Sequence, residues 1–191
     1  MRRAILLLTV MAAALLLASG VALAVNEAGG PGSDVLTGTD KPDRLDGNGG
    51  DDVIHGLGGS DGRRKGLLIG GLGDDVMYGG TGNDDLLGSK GFGSRDAGED
   101  KIYGEEGRDR MAGGFGTDIL HGGDGSDLMF AGGFSARRDA QDVLNGGDGN
   151  DLIISASRPA GRDIVNCGDG FDRAFADRDD VLNNCEKVQR P

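Results

Sequence analysis

A nine-residue repeat is the sequence feature that most restricts how this 191-residue chain can fold. Residues 29–37 have the form GGxGxDxUx, in which U is a large apolar residue. Fourteen units align on this frame between residues 29 and 175, and four of them are lengthened by inserted residues. Self-similarity at a short fixed period predicts a structure in which each unit stacks on its neighbours, because one unit cannot bury its apolar residue alone.

The eighth position of the unit is apolar in all fourteen units and predicts the core. Aromatic residues make up only 4% of the chain, so the expected core is one aliphatic side chain wide. Its residues are Leu36, Leu45, Ile54, Leu68, Met77, Leu86, Ile102, Met111, Leu120, Met129, Leu144, Ile153, Val165 and Ala174.

The sixth position is Asp in thirteen units, and in the unit that begins at Gly56 an Asp stands six residues from the start, before the insertion. Asp is a short carboxylate suited to turns and to tight oxygen-ligand sites, and the glycines of the unit permit turns in which backbone carbonyls converge. These Asp residues are therefore candidate ligands for cations. They are Asp34, Asp43, Asp52, Asp61, Asp75, Asp84, Asp100, Asp109, Asp118, Asp127, Asp142, Asp151, Asp163 and Asp172.

Composition excludes other classes of protein. The net charge of −12 argues against a nucleic-acid binder, which needs clustered Lys and Arg to neutralise phosphates. The chain has 39 glycines but only four prolines, and glycine does not recur at every third residue, so it is not a collagen.

The first 24 residues have the organisation of a secretory signal peptide. Arg2 and Arg3 precede an apolar run over residues 4–17, and small residues then lead to Ala22-Leu23-Ala24. This pattern predicts cleavage after Ala24 and a secreted, extracellular product. A membrane anchor is the alternative, but the run is short for a span of about 20 residues. No later segment is apolar enough to cross a bilayer.

The repeated unit resembles the hemolysin-type calcium-binding repeat family, also called RTX. The resemblance implies an all-β fold, a right-handed parallel β-roll in which GGxGxD forms a turn and xUx a short strand. It also implies several calcium ions between stacked turns, with the position-six Asp residues as ligands, which agrees with the preference of Ca2+ for six to eight oxygens. The expected organisation is a signal peptide over 1–24, a short lead over 25–28, the roll over 29–175 and a small C-terminal cap over 176–191.

The C-terminal end looks like that of exported bacterial members of the family, with two cysteines near the end. The resemblance implies a Cys167–Cys185 disulfide, which suits an oxidising compartment. A metal-binding or redox pair is the alternative, and it lacks a nearby His or third Cys.

Alternate units are expected to lie on opposite edges of the roll. Three of the four lengthened units are odd-numbered, so we expect the most regular calcium column on the even edge. Its residues are Asp84, Asp109, Asp127, Asp151 and Asp172. On the odd edge we expect good binding only at Asp34, Asp52, Asp75 and around Asp118.

The four insertions are rich in basic residues. One interpretation is a basic edge that binds an anionic cell-wall or surface polymer; the other is that these cations neutralise Asp-rich turns. The residues are Arg63, Arg64, Lys65, Lys90, Arg95, Arg137, Arg138, Arg158 and Arg162.

No catalytic arrangement is evident. The chain has no His-Glu-x-x-His motif, and its two histidines, His55 and His121, both occupy position nine of a unit. Residues 58–62 match GxSxG but lack its strand-turn-helix context. The sequence therefore predicts a non-enzymatic, secreted calcium-binding protein that folds on calcium. A surface adhesion module that uses the basic insertions is the alternative, and a secreted hydrolase is a weaker one.

Overall fold

The computed structural model describes residues 23–62, 66–90, 98–132, 141–156 and 161–190. Regular structure in these ranges consists of seventeen short β-strands, β1 to β17, numbered along the chain. Within the same ranges, no helix has the length and apolar character needed to cross a bilayer.

The odd-numbered strands form one parallel sheet of nine strands in sequence order. They are β1 (Asn26–Ala28), β3 (Arg44–Asp46), β5 (Leu67–Gly71), β7 (Asp85–Ser89), β9 (Arg110–Gly114), β11 (Leu128–Gly132), β13 (Leu152–Ile154), β15 (Arg173–Phe175) and β17 (Lys187–Gln189).

The even-numbered strands form the second parallel sheet, of eight strands. They are β2 (Val35–Thr37), β4 (Val53–His55), β6 (Val76–Thr81), β8 (Lys101–Glu106), β10 (Ile119–Gly125), β12 (Val143–Gly149), β14 (Ile164–Gly170) and β16 (Val181–Asn183). The chain thus passes from one sheet to the other at every turn, and the predicted all-β parallel roll is confirmed.

The register places the same repeat position of successive coils side by side. In the eight-stranded sheet, Ile102 pairs with Leu120, and Leu120 with Leu144. Because side chains alternate between the two faces of a strand, position eight points inward in every unit. All fourteen predicted core residues are buried, none of them more than 4% exposed. They form one continuous apolar cluster between the two sheets.

Both sheets continue into the segments that flank the repeats. Strand β1 lies within residues 25–28 and pairs with β3. Strands β16 and β17 lie within residues 176–191 and pair with β14 and β15. A disulfide joins Cys167 of β14 to Cys185, with their Cα atoms 5.1 Å apart. It ties the last coil to the segment that follows it.

Glycine at position four of the unit allows the coils to approach closely on the even edge, which is formed by the turns of the even-numbered units and leads into the odd-numbered strands. A Cβ atom added to Gly82 would lie 1.3 Å from the carbonyl oxygen of Gly59, and one added to Gly107 would lie 1.4 Å from that of Gly82. Both glycines also have positive φ, 133° and 139°, a region that other residues rarely adopt. At Gly82 and Gly107, position four therefore demands glycine on steric and on conformational grounds.

Candidate metal centre

Thirteen of the fourteen candidate Asp residues lie where a turn enters a strand, whereas Asp61 precedes an insertion and the next strand begins at Leu67. All of them except the half-buried Asp34 are at most 2% exposed. A buried carboxylate requires hydrogen bonds and a compensating charge. Its hydrogen-bond partners therefore determine whether an oxygen remains for a cation.

The backbone N–H of each Asp donates to a carboxylate oxygen of the next coil on the same edge, which belongs to an Asp in every case except that of Asp172. For example, the Asp109 N–H donates to Oδ1 of Asp127 at 2.8 Å, and Oδ1 of Asp109 accepts from the Asp84 N–H at 2.8 Å. The even edge carries one such series, here called the even ladder. It joins Asp43, Asp61, Asp84, Asp109, Asp127, Asp151, Asp172 and Glu186, over 2.6–2.8 Å.

The odd edge carries the second series, the odd ladder. It joins Asp34, Asp52, Asp75, Asp100, Asp118, Asp142, Asp163 and Asp180, over 2.8–3.0 Å. All fourteen sequence-predicted residues therefore lie in two continuous rows, one on each edge of the roll.

The second carboxylate oxygen distinguishes the interior of the even ladder from its beginning. From Asp61 to Asp172, Oδ2 of every member is buried and has no hydrogen-bond partner among the described residues. At Asp43, Oδ2 accepts instead from the N–H of Thr39 at 2.5 Å and from its hydroxyl at 3.0 Å. Six successive buried oxygens are thus left for a group that the chain itself does not supply.

Backbone carbonyls gather beside these oxygens. A Cβ atom added to Gly104 would lie 2.5 Å from Oδ2 of Asp109 and 2.5 Å from the carbonyl oxygen of Gly122 in the next coil. Carbonyl groups at positions two and four also lie close to the next coil. At position two, for example, the carbonyl oxygen of Glu105 would lie 2.1 Å from a Cβ atom added to Gly123. Carboxylate and carbonyl oxygens without competing donors are the ligands that a hard cation such as Ca2+ prefers.

The donor set limits the kind of metal site. Across the described ranges, no group of three or more His, Cys, Asp or Glu side chains is placed to hold one ion. A cation in these turns would therefore take many of its oxygens from the backbone, which fits calcium and does not fit a metal that requires nitrogen or sulfur ligands.

Burial raises the pKa of several carboxyl groups in the even ladder. It raises the pKa of Asp61 and of Asp109 to about 7 and that of Asp127 and of Asp151 to about 6, against an ordinary value of 3.8. Desolvation is the largest cause in each case, and the bonds from backbone N–H groups oppose it. Without a cation, the deprotonated carboxylates are unfavourable in this environment.

Two ladder members lie beyond the repeat pattern and were missed by sequence analysis. Asp180 accepts the Asp163 N–H at 3.0 Å and Glu186 accepts the Asp172 N–H at 2.8 Å. Oδ2 of Asp180 is occupied by the Ser155 hydroxyl and the Asp177 N–H, both at 2.8 Å. The only available signal was an acidic residue 17 positions after Asp163 and another 14 positions after Asp172.

Position nine of the eight-stranded sheet carries a row of stacked rings on the outer surface. The rings of His55, Tyr78, Tyr103 and His121 follow one another with centroids 4.9, 5.1 and 5.2 Å apart and planes within 9° of parallel. These histidines were predicted only as surface residues at strand ends. They are parts of a stack that exists when the coils are in register.

The basic insertions are only partly described. Lys90 forms an ion pair with Asp46 at 2.9 Å and donates a hydrogen bond to the Asn48 side chain. Its charge is therefore paired with a carboxylate of the roll itself. Arg162 is exposed. The remaining predicted members lie outside the described residues: Arg63, Arg64, Lys65, Arg95, Arg137, Arg138 and Arg158.

Comparison with known proteins identifies the repeat. The family model described as the RTX calcium-binding nonapeptide repeat (4 copies) matches residues 28–62, 67–93, 96–120, 103–135 and 139–157. No curated protein and no solved structure matches the chain. The matched segments cover more than half of the sequence and include the ladder members from Asp34 to Asp151, while the last coils lie beyond them. The chain therefore belongs to the RTX calcium-binding nonapeptide repeat family.

Proposed function

We propose that this chain is a secreted, non-catalytic calcium-binding protein whose roll folds when calcium occupies its turns. The observation that carries the proposal is the series of six buried Oδ2 atoms from Asp61 to Asp172 that have no partner in the described structure. Desolvation of an uncompensated carboxylate costs several kcal/mol per ion. At neutral pH, a row of them is compatible with a folded roll only if cations compensate the charge.

The proposed ligands are the position-six Asp carboxylates together with the carbonyls of the glycine-rich turns. When bound, calcium would supply positive charge and accept coordination from these oxygens. Because the unfolded chain does not hold them together, the free energy of binding becomes free energy of folding. The interior of the even ladder, where the unpartnered atoms are continuous, is the strongest part of this proposed site.

Tyrosine emission offers a direct test of coupled folding. The chain has no Trp, and its two Tyr residues, Tyr78 and Tyr103, both lie in the ring stack. Titration of the calcium-free protein with calcium should therefore change tyrosine emission and far-UV circular dichroism together. Calorimetry of the same titration should show that several ions bind. Magnesium at equal concentration is the control, because it demands near-octahedral geometry and dehydrates reluctantly. An unchanged strand spectrum in excess chelator would falsify the proposal.

Secretion forms part of the proposal, with residues 1–24 as the signal peptide and 176–191 as the cap. The Cys167–Cys185 disulfide supports it, since disulfides persist in oxidising compartments. Expression of the full chain in a bacterial host, followed by mass spectrometry of the exported product, tests it. A product that retains residues 1–24 would contradict this part.

A wall-binding function receives less support. The ion pair of Lys90 with Asp46 favours the interpretation that basic residues of the insertions neutralise the roll. Binding of the purified, calcium-loaded protein to anionic wall polymer, compared with Arg137→Ala/Arg138→Ala, distinguishes the two interpretations. Binding that depends on this pair would favour adhesion.

A further inference from the structure

The beginning of the even ladder meets the predicted signal-peptide cleavage site. The backbone nitrogen of Val25 donates a hydrogen bond to Oδ1 of Asp43. Cleavage after Ala24, predicted from the Ala22-Leu23-Ala24 pattern alone, would make this nitrogen the N-terminus of the secreted chain. Two independent observations, one from sequence and one from geometry, therefore converge on one atom.

Asp43 differs from the interior members of its ladder. It is fully buried, and both of its oxygens accept hydrogen bonds: Oδ1 from Val25, and Oδ2 from the N–H and hydroxyl of Thr39. Asp61, the next member, has Oδ2 without a partner in the described structure. Oδ2, the oxygen that would face a cation in the interior, is thus already bonded to Thr39 at this end, and Val25 takes the place of the N–H donor that an interior Oδ1 receives from the preceding coil.

Val25 is held in place independently of that contact. Its carbonyl accepts the Arg44 N–H at 2.8 Å, and its side chain packs against the apolar core. The residues before it, Leu23 and Ala24, are exposed, so their removal takes nothing from the core. The nitrogen is consequently positioned at Asp43 whether it is an amide or a free amine.

We propose that signal-peptide cleavage supplies the cation for Asp43. Hydrolysis of the Ala24–Val25 peptide bond consumes one water and leaves a carboxylate on Ala24 and an amine on Val25. That amine, protonated to an α-ammonium, pairs with the buried Asp43 carboxylate in place of calcium. Asp43 then closes the end of the ladder and is not a calcium ligand. This inference rests on the proposed secretion and calcium binding.

Two chains that differ by one residue test the charge of this nitrogen. One begins at Val25 and the other at Ala24, so that the Val25 nitrogen remains a hydrogen-bond donor but loses its charge. We expect the chain that begins at Ala24 to unfold about 2–6 °C lower in saturating calcium. The difference should vanish when both carry Asp43→Asn and persist when both carry Asp40→Asn, at an exposed neighbouring carboxylate.

Calcium stoichiometry, measured by calorimetry on the chain that begins at Val25, tests the second part. Asp43→Asn should leave the number of bound ions unchanged, whereas Asp109→Asn should lower it. Equal unfolding temperatures of the two chains, or an equal loss of ions in the two variants, would overturn the inference. If neither chain binds calcium, the proposed function fails, and the temperature difference measured without calcium still decides whether Val25 and Asp43 are coupled.

Discussion

Because the coils stack closely on the even edge, a single added methyl group there should lower the thermal stability of the protein substantially. In Gly107→Ala, the new Cβ would lie 1.4 Å from the carbonyl oxygen of Gly82. Since Cβ contacts under 3.0 Å are essentially never observed, the two coils would have to separate by about 1.6 Å at this point. The backbone φ of 139° adds strain for any residue with a side chain.

The magnitude follows from the bonds beside the contact. Three backbone N–H groups near the contact donate to backbone carbonyls of a neighbouring coil. They are Gly82 to Glu106 at 2.9 Å, Gly107 to Asp124 at 2.8 Å and Arg110 to Asp84 at 2.8 Å. A shift of this size stretches such bonds beyond hydrogen-bonding distance, at about 1 kcal/mol each. The left-handed backbone costs about 1–2 kcal/mol more. The total of about 4 kcal/mol corresponds to a fall of roughly 8–16 °C in Tm.

Thermal unfolding followed by circular dichroism in saturating calcium measures this effect. The matched control is Gly32→Ala, because a Cβ at Gly32 has no neighbour within 4 Å and its φ is not positive. The control should unfold within about 2 °C of the unchanged protein. If Gly107→Ala unfolds at the same temperature as Gly32→Ala, the coils do not approach as closely as described.

Two further predictions concern the disulfide and pH. Replacing both Cys167 and Cys185 with Ser should lower the free energy of unfolding by about 3 kcal/mol, since the bond closes a loop of 18 residues; equal denaturation midpoints with and without the disulfide would contradict this. Because burial raises the pKa of Asp61 and Asp109 from 3.8 to about 7, the metal-free fold binds protons more tightly than the unfolded chain. The resulting stability is fully present below pH 4 and is lost as the pH rises to about 7. Circular dichroism in calcium-stripped buffer should accordingly show more strand at pH 4.5 than at pH 8; more strand at pH 8 would refute the argument.

The repeat frame was sufficient to predict the core and the carboxylate rows. Leu120 is buried and Asp109 lies at a turn because both follow from position within the unit, and stacking imposes the same surroundings on every coil. The ring stack was not predicted, since it depends on alternate units sharing a sheet. His55 and Tyr78 are separated by a complete unit in sequence and are 4.9 Å apart in space.

The ends of the ladders were also beyond prediction from the pattern. Asp180 lies outside the nonapeptide frame, and its second oxygen accepts from the Ser155 hydroxyl, a partner that no repeat position predicts. Similarly, the repeat pattern does not predict that both oxygens of Asp43 accept hydrogen bonds within the protein; this difference from Asp61 arises from Val25 and Thr39. Regular units are predictable from one another, whereas terminal units take partners that no other unit has.

The ladder bonds keep the same length while the chain between them varies. Eighteen residues separate Asp109 from Asp127 and 25 separate Asp84 from Asp109, yet both hydrogen bonds measure 2.8 Å. Additional residues therefore enter a coil without altering the spacing of the coils on either side. A foreign peptide inserted at such a point would leave the rest of the roll in register, so this protein offers regularly stacked positions for the display of grafted segments.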